Sequence, residues 1–168
     1  NTSKGFINKL YQTVRNYTLQ QKRKLVSRET GLKLGTILDA GSGTGAFVNT
    51  MQTHGWLVTG LEPHEDARKT AASLYNIKLD GTDKFYQLEQ GYFDAITMWH
   101  VLEHVHDLSA YIKQLSFLLK EKGKLFIAVP NYTSGDAAAY KEYWAAYDVP
   151  RHLYHFSPKA MERLMQNH

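Results

Sequence analysis

The chain of 168 residues contains no cysteine. Disulfides and thiolate metal centres are therefore excluded, and a cytoplasmic setting is the expectation. No run approaches the ~18 unbroken apolar residues of a membrane-spanning helix. The opening Asn-Thr-Ser-Lys-Gly is not followed by the apolar segment of a secretory signal. Without a signal, Asn16-Tyr17-Thr18 and Asn131-Tyr132-Thr133 match the glycosylation pattern by chance. Internal repeats and low-complexity stretches are absent. So is positive charge over one long interval, with no Lys or Arg between Lys33 and Arg68.

What is present suits one packed domain, with 43% hydrophobic and 21% charged residues. The net charge is +4. Much of the excess lies in Lys22-Arg23-Lys24 and Arg28, read here as a solvated helix face rather than a nucleic-acid contact.

Apolar periodicity gives the elements. Phe6, Leu10, Val14 and Tyr17 predict a helix over 6–28, stopped by Gly31 and Gly35. Strands are expected at 36–40, 56–61, 77–79 (weak), 93–98 and 124–129. Helices are expected at 46–54, 64–76 and 82–90, and Asp107 should cap another that runs to Gly123. Five strands alternating with helices argue a doubly wound, mainly parallel α/β sheet, Rossmann-like, with right-handed crossovers and order 3-2-1-4-5. Beyond it, 137–147 reads as a helix, 148–156 as a polar-aromatic loop, and Ser157-Pro158 as the start of a last helix.

The first strand runs into Asp39-Ala40-Gly41-Ser42-Gly43-Thr44-Gly45-Ala46. Glycines at alternate positions between a strand and a helix allow a sharp turn that a ligand can approach closely. Gly41-x-Gly43-x-x-Ala46 satisfies the dinucleotide fingerprint, and Glu62 lies about 20 residues on. A pyrophosphate, however, wants a neutral or positive turn. Asp39 and the cation-free interval oppose it and suit a cationic ligand without phosphate. S-adenosylmethionine, with its sulfonium and amino group, is such a ligand. Glu62 could accept from both ribose hydroxyls, and Asp80 from the adenine amino group. These acids stand at three successive strand ends, on the edge where open α/β sheets bind ligands.

These residues resemble a known family. Asp39, Gly41, Gly43 and Gly45 are similar to motif I of the class I S-adenosylmethionine-dependent methyltransferases, and Glu62 to that family's acid after strand two. Phe93-Asp94-Ala95-Ile96 with Trp99-His100-Val101-Leu102-Glu103-His104-Val105 resembles its strand-four segment. Pro150-Arg151-His152-Leu153 and His155-Phe156-Ser157 are similar to the branch that includes the ubiquinone-biosynthesis O-methyltransferase and many small-molecule methyltransferases. The resemblance spans roughly 20–165. It implies S-adenosyl-L-methionine as cofactor, S-adenosyl-L-homocysteine as product, and no metal. The implied donor-binding set is Asp39, Gly41, Ser42, Gly43, Gly45, Glu62, Pro63, Asp80, Trp99 and His100. The family's sheet ends in two further strands, one antiparallel, which the sequence does not show before His168.

Methyl transfer is an SN2 displacement from an activated donor, so a base is needed only where the acceptor must lose a proton. His104, His152 and His155 are the candidates. The likeness places the loop after strand four beside the reacting methyl and favours His104. His106, before the Asp107 cap, is expected at the surface. His100-x-x-Glu103-His104 also matches an inverted zinc-protease signature, but it leaves a buried strand behind a nucleotide-type turn, and no metal is assigned to it. The aromatic segment 140–156 would lie over the catalytic edge and suits a small-molecule acceptor, with Trp144, Arg151 and His152 as contacts. Alternatively, Arg151-His152 pins this segment through Asp148. Nucleic acid is not expected, because the basic residues are not interleaved with the aromatics.

The expected layout is one domain over 1–168. It has a helical segment 1–30, a donor-binding core 36–130 and an acceptor-side segment 131–168. An NAD-type oxidoreductase and a non-catalytic module on the same fold are the alternatives.

Overall fold

The computed structural model describes the backbone of residues 2–166 and the side chains of residues 8–166. Phe6, assigned above to a helix face, lies outside the described side chains. The elements are α1 (Thr2–Thr30), β1 (Thr36–Ala40), α2 (Ala46–Gln52), β2 (Leu57–Leu61), α3 (Glu65–Tyr75), β3 (Phe93–Trp99), α4 (Leu108–Leu118), β4 (Leu119–Ala128), α5 (Gly135–Tyr140) and α6 (Pro158–Gln166). Among the described residues no helix is long and apolar enough to cross a membrane.

Four strands form one parallel sheet in the order β2-β1-β3-β4. That is the expected order 3-2-1-4-5 without its first strand. The outermost strand is not formed: 77–79 makes no ladder, and only Asp80 bridges Leu61 in parallel. Asp80 N–H donates to Gly60 O, and Glu62 N–H to Asp80 O, both at 2.9 Å. The segment thus occupies the edge position beside β2 with one bridge.

Each face of the sheet carries its own core, as the period-2 alternation of strands requires. Leu38, Ile96 and Met98 pack with Leu102, Leu115, Leu118 and Phe156 on the α4 side. Ile37 and Ala95 pack with Val26, Phe47 and Met51 beneath α1 and α2. Asp39 follows Ile37 by two, and Thr97 follows Ala95 by two, so both belong to the α1 side.

Three further boundaries differ from expectation. The helix capped by Asp107, whose Oδ1 accepts from Ala110 N–H at 2.9 Å, ends at Leu118, and the chain passes directly into β4. A register shift between Phe93 and Ala95 absorbs the stretch around Gly123, which therefore lies inside a strand rather than stopping a helix. Residues 82–87 form a 3-10 turn. The helix expected over 137–147 is α5, ending at Tyr140, followed by 3-10 turns at Lys141–Tyr143 and Ala145–Tyr147. The break is at Lys141, with φ 50°. α6 starts as expected, with Ser157 Oγ accepting from Ala160 N–H.

Candidate functional site

The glycine turn is built on β2. Gly41 and Ser42 N–H both donate to Leu61 O, at 2.8 and 2.9 Å, and Ser42 Oγ donates to Asp39 O at 2.8 Å. Glu62 closes the loop from the other side. Its Oε2 accepts from Gly43 N–H at 2.7 Å and its Oε1 from His64 N–H at 3.0 Å. The carboxylate is thus fixed by two backbone donors and still has lone pairs to offer. Gly43 has φ 54° and open space where a Cβ would stand. Gly45, φ 77°, begins α2, and a Cβ there would lie 2.8 Å from that of Ala71.

A cleft of ≈ 480 Å³ opens over this turn, lined by Gly41, Glu62, Pro63, His64, His100, Val101, His104 and Arg151. It joins the two ends of the chain's expected site: donor-side residues from the first two strand ends, and acceptor-side residues from the turn after β3 and the 148–156 loop. Hollows of ≈ 480 and ≈ 600 Å³ along α3 and α1 contain neither turn glycines nor histidines.

Asp39 is not in the cleft wall. Its carboxylate is 1% exposed and accepts from Thr97 Oγ1 at 2.7 Å across the sheet. Burial pushes its pKa up to about 6, against the opposing hydrogen bonds from Thr97 and Ser42 and the charge of Lys22. Lys22 comes from α1, half-buried, with Nζ 4.3 Å from the Trp99 ring centroid. Burial lowers its pKa, and Asp39 works the other way. Arg15, also from α1, brings Nη2 within 3.5 Å of Thr44 Oγ1 in the turn. The interval without cations in sequence is therefore supplied with two from a distant helix, which no local reading of charge reveals.

Trp99 sits on the α1 side, edge-on to Phe47 at 5.7 Å, with a buried Nε1 that has no hydrogen-bond partner among the described residues. Asp80 contributes its backbone at the sheet edge. Trp144 packs edge-on against Tyr147 and does not line the cleft.

The 148–156 loop is latched onto the 3-10 turn Leu102–His104. Leu153 N–H donates to Glu103 O at 2.8 Å, and Tyr154 OH to His106 O at 3.1 Å. His104 Nδ1 lies 2.9 Å from Arg151 O, and His152 Nδ1 lies 2.8 Å from Ala146 O. Carbonyls only accept, so both Nδ1 atoms donate, and His152 Nε2 lies 3.8 Å from Asp148 Oδ2. The two rings are 4.8 Å apart at their centroids. Arg151 holds Asp148 Oδ1 through Nε and Nη2 at 3.0 and 2.7 Å, an ion pair inside the loop rather than a tie to the rest of the domain. Glu103 was named from sequence only within the His100-x-x-Glu103-His104 signature and the resemblance segment and was given no role, yet it is fully buried, with no hydrogen-bond partner on either carboxylate oxygen among the described residues. Thr97 and Lys22 were missed as well. Their only signals are a cross-strand register and a helix docking that sequence does not encode locally.

Residues 11–168 match the family model described as a methyltransferase domain. The ubiquinone biosynthesis O-methyltransferase of Coxiella burnetii is 31% identical over 114 residues, covering 64% of this chain and 49% of the relative. That of Xanthomonas oryzae pv. oryzae is 30% identical over 141 residues, covering 78% and 59%. The chain thus spans about half the length of these relatives. A SAM-dependent methyltransferase from Archaeoglobus fulgidus superimposes with a TM-score of 0.71 at 22% identity, covering 91% of this chain and 67% of that one. Phosphoethanolamine N-methyltransferase 2 of Haemonchus contortus, solved with S-adenosyl-L-methionine, gives 0.67 at 20%, covering 88% and 36%. At these identities the solved structures share the fold.

Proposed function

This chain belongs to the methyltransferase-domain family, and from that premise we propose that it transfers a methyl group from S-adenosyl-L-methionine to a small-molecule acceptor. The donor supplies a methyl already activated on a sulfonium, so the protein's task is alignment and exclusion of water. The observation that carries the reading is Glu62, a carboxylate held by the Gly43 and His64 N–H groups at the wall of the cleft. Two oxygens with spare lone pairs in fixed positions match a ribose diol. Gly41, Ser42, Gly43 and Gly45 shape the turn beside it, and Pro63 extends the wall. Asp80, bridged to Leu61 at the sheet edge, takes the adenine amino group. Asp39 supplies negative potential beneath the turn. Trp99 and His100 close the end of β3, and Lys22 answers the donor's carboxylate.

On the acceptor side, His104 lines the cleft with Nδ1 held by Arg151 O, and takes the proton of an acceptor hydroxyl. Arg151 and His152 hold the loop over the site, and Trp144 buttresses it. Calorimetry with S-adenosyl-L-homocysteine tests the reading. The parent chain should bind one equivalent, and Glu62→Ala or Asp39→Ala should weaken binding more than tenfold. Binding of NAD without either adenosyl ligand would overturn it.

A further inference from the structure

Asp39 and Thr97 face each other across the sheet. β1 and β3 run parallel with these two residues as Cα partners. Both are buried, at 1% and 0% exposure. Thr97 Oγ1 stands 2.7 Å from Asp39 Oδ1 and 3.4 Å from Leu38 O. A hydroxyl has a single hydrogen, and the shorter contact, to a charged group, takes it. Its neighbours Ala95, Ile96 and Met98 are buried and apolar. A β-branched apolar residue would fill the place of Thr97 as well, so packing alone does not call for the hydroxyl.

The carboxylate that Thr97 holds lies beneath the glycine turn, where Asp39 O accepts from Ser42 Oγ at 2.8 Å. Burial favours its neutral acid and raises its pKa to about 6. The groups that face it pull in both directions. Thr97 leads those that favour the anion, followed by Ser42 and by the charge of Lys22 from α1, while the charge of Glu62 after β2 opposes it. A cationic ligand group over the turn is attracted only while Asp39 is an anion.

We propose that Thr97 is a positioning residue of the donor site. Fully buried, it touches no ligand. Its hydroxyl holds Asp39 as an oriented anion beneath the glycine turn, and so sets how far into acid the site keeps its affinity for a cationic adenosyl ligand. The inference rests on the donor reading above and adds the residue on which its pH range depends.

The test compares the parent chain with Thr97→Val, Thr97→Ala and Thr97→Ser. Val and Ala both remove the hydroxyl, one keeping the volume and the other leaving space, so an effect common to both belongs to the lost hydrogen bond. Ser keeps the hydroxyl. Calorimetry with S-adenosyl-L-homocysteine, which carries the cationic amino group, gives the ratio of each affinity to the parent's from pH ~5 to ~8.5. Parent affinity should fall as pH drops through about 6. Without the hydrogen bond the acid holds its proton to higher pH. The Val and Ala variants should therefore bind up to about tenfold more weakly at pH ~5 and within about twofold of the parent at pH ~8.5. Ser should follow the parent. His64, His100 and His104 border the cleft and Arg15 lies at the turn. They and the ligand are common to all four chains, so the change of the ratio with pH reports on Asp39. A ratio that is the same at every pH would mean a merely structural role and overturns the proposal. The carboxyl carbon resonance of Asp39, assigned through Asp39→Asn, follows the same ionisation without ligand. Its midpoint should rise in Val and Ala and return in Ser. An unmoved midpoint overturns the proposal whatever the ligand does. A midpoint that rises, with a parent that binds no adenosyl ligand, upholds the hold of Thr97 on Asp39 and overturns the donor reading alone.

Discussion

Asp39 is costly to the fold, and the proposed donor site gives it a use. Its carboxyl titrates near 3.8 in an unfolded chain and at about 6 when folded, because burial outweighs the hydrogen bonds from Thr97 and Ser42 and the charge of Lys22. Between those two values the folded state holds a proton that the unfolded state has released. Stability attributable to this group is therefore full below pH ~4, falls as pH rises, and is lost above ~6. The gap between 3.8 and about 6, at 1.36 kcal/mol per pH unit, amounts to roughly 3 kcal/mol. Asn at this position is neutral and still accepts from Thr97. Asp39→Asn should therefore gain stability on the parent as pH rises from 4 to 7, measured by urea unfolding at each pH, while losing adenosyl-ligand affinity. A stability difference that stays flat with pH would mean that the folded carboxyl is not held protonated by burial. Such a trade belongs to a site residue rather than to a core residue.

At the scale of elements, local chemistry decided what could be read. β1, the glycine turn and α2 were legible because an apolar run, alternate glycines and a helical period follow one another without ambiguity. Asp107 announced α4 as a capping side chain. The 77–79 stretch misled because Ile77 and Leu79 are buried at alternate positions, which is also a strand's signature. They reach burial by packing on Val48 and Ala71, with no ladder needed. The helix after Ser134 broke at Lys141, which takes a left-handed conformation that lysine seldom adopts, so sequence gives no warning. Of the three strand-end acids, Glu62 lines the cleft, whereas Asp39 is buried beneath the turn. The burial of Glu103 was hidden because a carboxylate in a short turn after a strand normally reads as surface.

The turn itself offers a direct comparison. Gly43→Ala meets only the strain of a left-handed residue, about 1–2 kcal/mol. It places its methyl in open space beside the Glu62 contact. Gly45→Ala carries the same strain and drives a Cβ to 2.8 Å from that of Ala71. Urea unfolding should show Gly45→Ala as the more destabilised, by about another 1–3 kcal/mol for overpacking. Calorimetry should show that Gly43→Ala, although folded, loses adenosyl-ligand affinity more than tenfold. Equal stability losses would mean that α2 shifts away from α3 at little cost.

Over the whole molecule, the question is whether α1 is part of the folded unit or an appendage to it. Its two halves differ. Leu10, Tyr11, Val14 and Tyr17 are each more than half exposed, whereas Val26 is fully buried with Ile37, Phe47 and Met51 against the sheet. Lys22 on Trp99 and Arg15 near Thr44 tie the helix to the site. If its second half belongs to one cooperative core, removing two methyl groups in Val26→Ala should lower the global unfolding free energy by about 1–3 kcal/mol. Ile96→Val, on the opposite face of the sheet, should cost about 0.5–1.5 kcal/mol. The two sites share no packing cluster, so the double variant should lose the sum to within roughly 0.5 kcal/mol, in a single transition followed by tryptophan fluorescence. Amide exchange should then divide α1, with fast exchange before Arg15 and protection approaching the global value around Val26. A Val26→Ala variant that loosens α1 alone, leaving the global midpoint where it was, would make the helix a separable cover. Lys22 and Arg15 would then reach the glycine turn only while that cover is closed.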